Sequence, residues 1–111
     1  MNNRYISFDI LERFVREIFV RSGVPEDDAA IATDVLLQAD KLGIDSHGVN
    51  RLKLIYLDRL KEGIQSPVTN FEIIREGHTT AVVDGHHGMG QVIGYRSMQL
   101  AIDKAKQYGM G

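Results

Sequence analysis

Residues 38–52 read QADKLGIDSHGVNRL, a polar stretch that separates two segments with helical patterns. His47 and Arg51 stand four positions apart within it. We predict that Ser46 caps a third helix running to Gly63, because serine is a favoured N-cap residue. On one face of such a helix, an imidazole and a guanidinium could converge on one small anion. The stretch therefore predicts where the helical part of the chain turns and where a ligand could bind.

Two amphipathic helices are predicted in the N-terminal part of the chain, and the second of them runs into this stretch. Their apolar residues recur with a helical period: Leu11, Phe14, Val15, Ile18 and Phe19 in the first segment, and Ala32, Val35, Leu36, Ala39 and Leu42 in the second. We expect Ser7 or Asp9 to cap the first helix and Ser22-Gly23 to end it. Pro25 and the acids that follow it start the second helix, and Gly43 ends it. The two helices are expected to form a hairpin.

The pattern changes after Pro67. Residues 71–75 and 80–84 predict two strands of a β-hairpin, with the turn at Glu76-Gly77-His78. The loop GHHGMG, residues 85–90, then leads into a last helix, whose expected inner face is Met98, Ala101, Ile102 and Ala105. The loop glycines most simply serve a turn that needs positive φ. The alternative is an anion contact at the start of the last helix.

The fold class that follows is α+β and mostly helical, in one domain spanning residues 1–111. It comprises a helical hairpin plus a third helix, a β-hairpin and a C-terminal helix. With 43% hydrophobic and 25% charged residues and a net charge of -2, the composition is that of an ordinary globular domain. Basic and acidic residues are interspersed, so neither nucleic acid nor an acidic partner is expected.

The sequence also excludes several kinds of site. It has no cysteine, which rules out disulfides, a thiolate nucleophile and a cysteine zinc site. Asp84, His86 and His87 could suggest a metal, but adjacent histidines point apart on an extended chain and no fourth ligand is evident. The N-terminal residues lack the apolar core of a signal peptide, and no stretch approaches about 18 apolar residues. We expect no metal, no membrane contact and a cytoplasmic location.

Residue chemistry alone leaves the role of residues 45–51 open. An imidazole at position 47 could exchange a proton with a hydroxyl or carbonyl oxygen. Arg51 could hold a carboxylate with its two-pronged guanidinium, and Asp45 could orient the imidazole. In the alternative, Ser46 is only a helix cap and His47 lies in solvent. The spacing by itself favours this alternative.

Residues 43–52, GIDSHGVNRL, resemble the signature of the malate/L-lactate dehydrogenase family, which includes sulfolactate and ureidoglycolate dehydrogenases and diketogulonate reductases. The resemblance extends over residues 5–111, through four further segments: SGVP at 22–25, LKEGI at 60–64, VDGHHGMGQ at 83–91 and AIDKA at 101–105. It implies the N-terminal part of an L-sulfolactate dehydrogenase-like fold, unrelated to the Rossmann lactate dehydrogenases.

For individual residues, the resemblance implies that His47 is the histidine near the substrate, with a proton-donor role. It implies that Arg51 contacts the substrate carboxylate and that Ser46 also belongs to the substrate-binding residues. Ser46 and Asp45 are expected to position the histidine. Family members commonly carry a tyrosine eight residues after this histidine. Here that position is isoleucine, and the neighbouring Tyr56 is the candidate for substrate binding.

The family resemblance also implies what residues 1–111 do not supply. A second histidine motif and the segments that bind NAD or NADP are expected beyond them, so no cofactor-binding residue is assigned. The whole protein is expected to be a homodimeric NAD(P)-dependent oxidoreductase that interconverts a 2-hydroxy and a 2-oxo acid. We expect this segment to be truncated and inactive alone. The alternative is a stand-alone binding or interaction domain that uses Arg51 and His47 only to hold a carboxylate.

Overall fold

The computed structural model describes residues 4–111, and these form a mostly helical α+β fold, as predicted. The helices are α1 (Phe8–Arg21), α2 (Glu26–Lys41), α3 (Asp58–Glu62) and α4 (Gly90–Tyr108), and the strands are β1 (Glu72–Glu76) and β2 (Ala81–Asp84). Two 3₁₀ turns, Asp45–His47 and Val49–Arg51, and a π-helical segment, Leu52–Leu57, connect α2 to α3. Within residues 4–111, no helix is long and apolar enough to cross a membrane.

The helices α1 and α2 form the predicted hairpin, and both end where the glycines indicate. Gly23 has a φ of +96°, and the N–H of the next residue donates to the Phe19 carbonyl at 3.1 Å. Gly43 has a φ of +79°, and Ile44 donates in the same way to the Ala39 carbonyl at 2.8 Å. Glycine adopts this left-handed conformation without the steric cost of a side chain, which is why it stops both helices.

The hydrophobic core lies between α1, α2, the start of the π-helical segment and the first turn of α4. It comprises Val15, Phe19, Val24, Ala29, Ala32, Leu36, Leu52, Met89 and Val92. Small alanines on α2 allow the neighbouring helices to approach closely. Three apolar residues predicted to face inward are exposed instead, namely Phe14, Val35 and Leu42. The buried face of each helix is therefore narrower than its apolar pattern.

The orientation of α4 also differs from the prediction. Met98 and Ile102 are exposed, by 61% and 37%, whereas Val92 and Lys104 are buried. A charged contact contributes to this orientation, because Arg96 of α4 pairs with Asp28 of α2, whose side chain is only 4% exposed. A buried carboxylate without a partner is costly, so this ion pair favours the observed side of α4 against α2.

The β-hairpin is antiparallel, with Glu72 opposite Asp84 and Glu76 opposite Ala81, and with a bulge between residues 73 and 75. Its turn closes through a bond from the Gly77 N–H to the Thr80 carbonyl at 2.9 Å. An isolated two-stranded hairpin is marginally stable in water. Here Lys104 of α4 donates to the Glu76 carboxylate at 2.8 Å and to the Gly77 carbonyl at 2.7 Å. This lysine fixes the hairpin turn onto α4.

Candidate functional site

The chain between α2 and the π-helical segment carries His47 and Arg51, and it is not the regular helix that the spacing predicted. Two 3₁₀ turns meet at Gly48, whose φ of −92° and ψ of −145° lie outside the helical region. Within residues 4–111, the Ser46 hydroxyl contacts the His47 ring and makes no cap bond to the backbone. The predicted third helix is present from Leu52, as a π-helical segment that continues into α3 and ends at Glu62, but its predicted start at Ser46 is wrong.

The His47 imidazole is exposed and, among the residues that the structure describes, has one hydrogen-bonding neighbour. Its Nδ1 lies 2.9 Å from the hydroxyl oxygen of Ser46. A hydroxyl can donate or accept, so it can hold either tautomer of the ring. With Nδ1 engaged in this way, Nε2 is the nitrogen that can exchange a proton with a ligand. Ser46 thus contacts the histidine, as expected, whereas Asp45 makes no hydrogen bond to the ring within residues 4–111.

Arg51 lies beside the same residues. Its Nε donates to the Ser46 carbonyl at 2.6 Å, which anchors the half-buried side chain at the residue preceding His47. Within the described part of the chain, its two terminal nitrogens make no hydrogen bond. A planar guanidinium held through Nε can still offer these two nitrogens end-on to a carboxylate. The backbone between the two 3₁₀ turns therefore keeps an imidazole and an open guanidinium as neighbours.

The surroundings of this pair are supplied by α2 and by the next turn. The Val49 N–H donates to the Asp40 carboxylate at 2.9 Å, and the Asn50 amide donates to the Asp45 carbonyl at 3.4 Å. The bond to Asp40 was not predicted. A signal for it was present in the sequence, since an acid in the last turn of a helix faces the negative end of the helix dipole.

Tyr56 lies in the π-helical segment and packs against the core. Its ring meets Phe19 edge to face, with the ring centres 6.2 Å apart and the planes at 69°. Ile55, which stands at the expected tyrosine position, is half-buried. The observed contact of the Tyr56 ring is with Phe19 of α1 and concerns the core. A contact between Tyr56 and the substrate stays a prediction.

The loop between β2 and α4 differs from the prediction for its glycines. The left-handed residues are His86 and His87, with φ of +47° and +58°, and none of Gly85, Gly88 and Gly90 has positive φ. Gly85 instead lies against Ile93, and Gly88 lies against Thr69, so that an added Cβ would overlap these side chains. These two glycines permit close packing within the protein.

One histidine of this loop, His86, contacts two neighbouring carboxylates. His86 contacts Glu72 through Nε2, and its backbone N–H donates to Asp84 at 2.8 Å. Within residues 4–111, no group of three or more histidine, aspartate or glutamate side chains is arranged to hold a metal ion. His78, expected as an exposed turn residue, is exposed and stacks on Tyr108 with the ring centres 4.8 Å apart.

Comparison with known proteins decides the family. The family model described as malate/L-lactate dehydrogenase matches residues 6–111. The chain belongs to this family. Its resemblance to the malate/L-lactate dehydrogenase family, first indicated by residues 43–52, is thereby confirmed.

Relatives within the malate/L-lactate dehydrogenase family share both sequence and fold with the chain. It is 48% identical to a malate dehydrogenase of Pyrococcus horikoshii over 103 residues, which are 93% of this chain and 28% of the relative. It is 42% identical to an L-sulfolactate dehydrogenase of Methanocaldococcus jannaschii over 110 residues, or 99% of this chain and 29% of the relative.

The structural neighbours agree with these sequence relatives. The crystal structure of malate dehydrogenase from Entamoeba histolytica has a TM-score of 0.93 and 39% identity, covering 96% of this chain and 30% of that one. The sulfolactate dehydrogenase of Methanocaldococcus jannaschii has a TM-score of 0.88 and 40% identity, covering 91% and 29%. The expected sulfolactate dehydrogenase-like fold is confirmed, and the chain spans about 30% of the length of the relatives it matches.

Proposed function

We propose that residues 1–111 are the substrate-side, N-terminal segment of a homodimeric dehydrogenase that interconverts a 2-hydroxy acid and a 2-oxo acid with NAD or NADP. The observation that carries this proposal is the arrangement around Ser46. Its hydroxyl holds Nδ1 of His47, and its carbonyl holds Nε of Arg51. One residue thus positions a proton-exchanging group and a carboxylate-binding group, which are the two groups that a 2-oxo acid requires.

In this reaction, the terminal nitrogens of Arg51 hold the substrate carboxylate in a bidentate manner. The carbonyl oxygen next to that carboxylate then faces Nε2 of His47, which donates a proton to it on reduction and accepts one on oxidation. Ser46 keeps the ring oriented while its charge changes. Tyr56 is a further candidate for substrate contact from the neighbouring segment.

The glycine loop of the described residues gives no support for dinucleotide binding. In the loop between β2 and α4, Gly85 lies against Ile93 and Gly88 lies against Thr69. The groove between β2 and α4, of about 460 Å³, is lined by residues that do not include His47 or Arg51. We therefore assign cofactor binding to polypeptide outside this segment and derive no step from it. The exposed His47 supports the same division, since a reaction site needs further walls to exclude water.

Arg51→Ala, made in the complete protein, tests this function. Loss of a bidentate, charge-assisted contact should raise the KM for the acid by about 10- to 100-fold. Arg51→Lys should restore little, because an ammonium cannot form two parallel hydrogen bonds. The measurement is the initial rate of nicotinamide oxidation with oxaloacetate, pyruvate and sulfopyruvate.

Arg59→Ala is the matched control, since Arg59 is exposed on α3 and its side chain makes no hydrogen bond or ion pair within residues 4–111. It should leave KM unchanged. An unchanged KM in Arg51→Ala would remove Arg51 from the site. A native polypeptide of about 12.4 kDa that binds the acid without turnover would favour the stand-alone binding domain. The proposed enzyme should be roughly three times heavier.

A further inference from the structure

Asp40 occupies an unfavourable place for helix stability. It is the penultimate residue of α2, where the unpaired carbonyls of the helix end form the negative pole of the helix dipole. A carboxylate there is repelled, whereas its neighbour Lys41 is attracted. The side chain is half-buried, so this cost is not fully screened by water. Contacts beyond α2 are needed to explain an acid at this position.

Those contacts lie in the turn that follows His47. One oxygen of Asp40 accepts the Val49 N–H at 2.9 Å, across nine positions of sequence. The same carboxylate lies directly against Gly48, which is buried, and a Cβ at Gly48 would overlap all three carboxylate atoms. Asp40 therefore holds the junction between the two 3₁₀ turns by a hydrogen bond and by close packing.

That junction determines how His47 and Arg51 are placed relative to each other. The first turn carries Ser46 and His47, and the second carries Arg51. Gly48 joins them with a φ of −92° and a ψ of −145°, and as a glycine it has no side chain to restrict this conformation. The bond to Val49 fixes the start of the second turn, and Arg51 reaches back from it to the Ser46 carbonyl.

We propose that Asp40 is a positioning residue, which holds the Gly48-Val49 junction so that His47 and Arg51 face the same substrate. This inference rests on the proposed function of that pair. Asp40 contacts neither reacting group and acts through the backbone. Its oxygen atom is what the junction requires, so asparagine, which retains an oxygen acceptor of the same size, should largely replace it.

The test uses the complete protein with Asp40→Ala, Asp40→Asn and the control Asp34→Ala. Asp34 is an exposed acid on the same helix, without a hydrogen bond or ion pair within the described residues. Hydrogen exchange of the amides at residues 48–51 should accelerate about tenfold in Asp40→Ala and remain slow in Asp40→Asn and Asp34→Ala. The kcat/KM for the 2-oxo acid should fall about tenfold in Asp40→Ala only, and its recovery in Asp40→Asn distinguishes positioning from a requirement for charge.

Gly48→Ala supplies a second, independent variant. Its methyl group must displace the Asp40 carboxylate, so alone it should impair kcat/KM about as much as Asp40→Ala. Combined with Asp40→Ala, it should add little, because the atoms it overlaps are gone. Fully additive losses would contradict a shared contact and overturn the inference.

Exchange and activity separate the two proposals. Unchanged exchange at residues 48–51 in Asp40→Ala would overturn the role of Asp40, whatever the activity. Accelerated exchange with an unaltered kcat/KM in an active enzyme would overturn it as well, since the junction would then not matter to the pair. If the wild type reduces no 2-oxo acid while exchange still accelerates, the proposed function fails and takes the positioning role with it.

Discussion

His87 holds its backbone in the left-handed region, with a φ of +58°, and its side chain is exposed. A residue with a Cβ pays about 1 kcal/mol or more for this conformation, and glycine pays none. Its carbonyl accepts the Ser66 N–H at 2.7 Å, a backbone bond that a substitution can leave intact. We predict that His87→Gly raises the free energy of unfolding by about 0.5–1 kcal/mol, measured by urea denaturation.

His78→Gly is the matched control for this prediction. His78 is also an exposed turn histidine, but it is not left-handed, and its ring stacks on Tyr108. Glycine there should lower the free energy of unfolding, because it gains unfolded-state entropy and loses the stacking. A lower stability for His87→Gly as well would mean that the His87 side chain makes a stabilising contact that outweighs its backbone strain.

At the scale of the secondary-structure elements, Lys104 of α4 holds the β-hairpin through its hydrogen bonds to the hairpin turn. Its side chain is only 10% exposed. Lys104→Met keeps most of the buried alkyl chain but removes both hydrogen bonds to the hairpin turn. We expect hydrogen exchange in β1 and β2 to accelerate and the free energy of unfolding to fall by about 1–3 kcal/mol, because the Gly77 carbonyl loses its charged donor.

Lys106→Met provides the comparison, since Lys106 is exposed on the same helix and makes no hydrogen bond or ion pair within residues 4–111. It should change neither the exchange nor the stability by more than a few tenths of a kcal/mol. If Lys104→Met left exchange in β1 and β2 as slow as in the wild type, apolar packing alone would be holding the hairpin on α4.

The elements that could be predicted from the sequence are those specified by local chemistry. Gly23 and Gly43 end α1 and α2 because the left-handed cap is a local requirement, and the hairpin turn lies within one residue of its expected place. The third helix is present from Leu52 to Glu62, but its predicted start at Ser46 is wrong, because the Asp40 carboxylate accepts the Val49 N–H across nine positions of sequence and holds a junction at Gly48. The periodicity of apolar side chains cannot predict a hydrogen bond between a side chain and a distant backbone N–H.

The same distinction applies to the candidate site. The local motif is enough to place Ser46, His47 and Arg51 next to one another, and the structure keeps them adjacent. The interpretation of Gly85 and Gly88 was wrong because their role is set by Ile93 and Thr69, side chains that come from other elements. Glycines selected for close packing and glycines selected for positive φ look alike in a single sequence.

At the scale of the whole molecule, the solvent-accessible area is larger than that expected for a compact monomer of the same mass. The accessible area is 7744 Å², whereas a compact monomer of 12.4 kDa exposes about 6,100 Å². The radius of gyration is 15.9 Å, against about 13 Å for a compact domain of this length. The excess area on this one chain, roughly 1,600 Å², is about twice the roughly 800 Å² that each partner buries in a standard protein interface. Apolar side chains contribute to it on two helices: Ile10 and Phe14 on α1, and Tyr95 and Met98 on α4.

We therefore predict that residues 1–111 produced alone self-associate, because these faces are exposed in the isolated segment, whereas in the proposed homodimeric enzyme further polypeptide or the partner subunit covers them. Sedimentation velocity at several concentrations measures both species, and binding of an apolar dye reports the exposed faces. Ile10→Glu combined with Met98→Glu should reduce self-association of the segment, while Asp34→Ala should not. A monodisperse 12.4 kDa species that binds no dye would contradict this prediction and favour the stand-alone binding domain, since its surface would then be sufficient in water without further polypeptide.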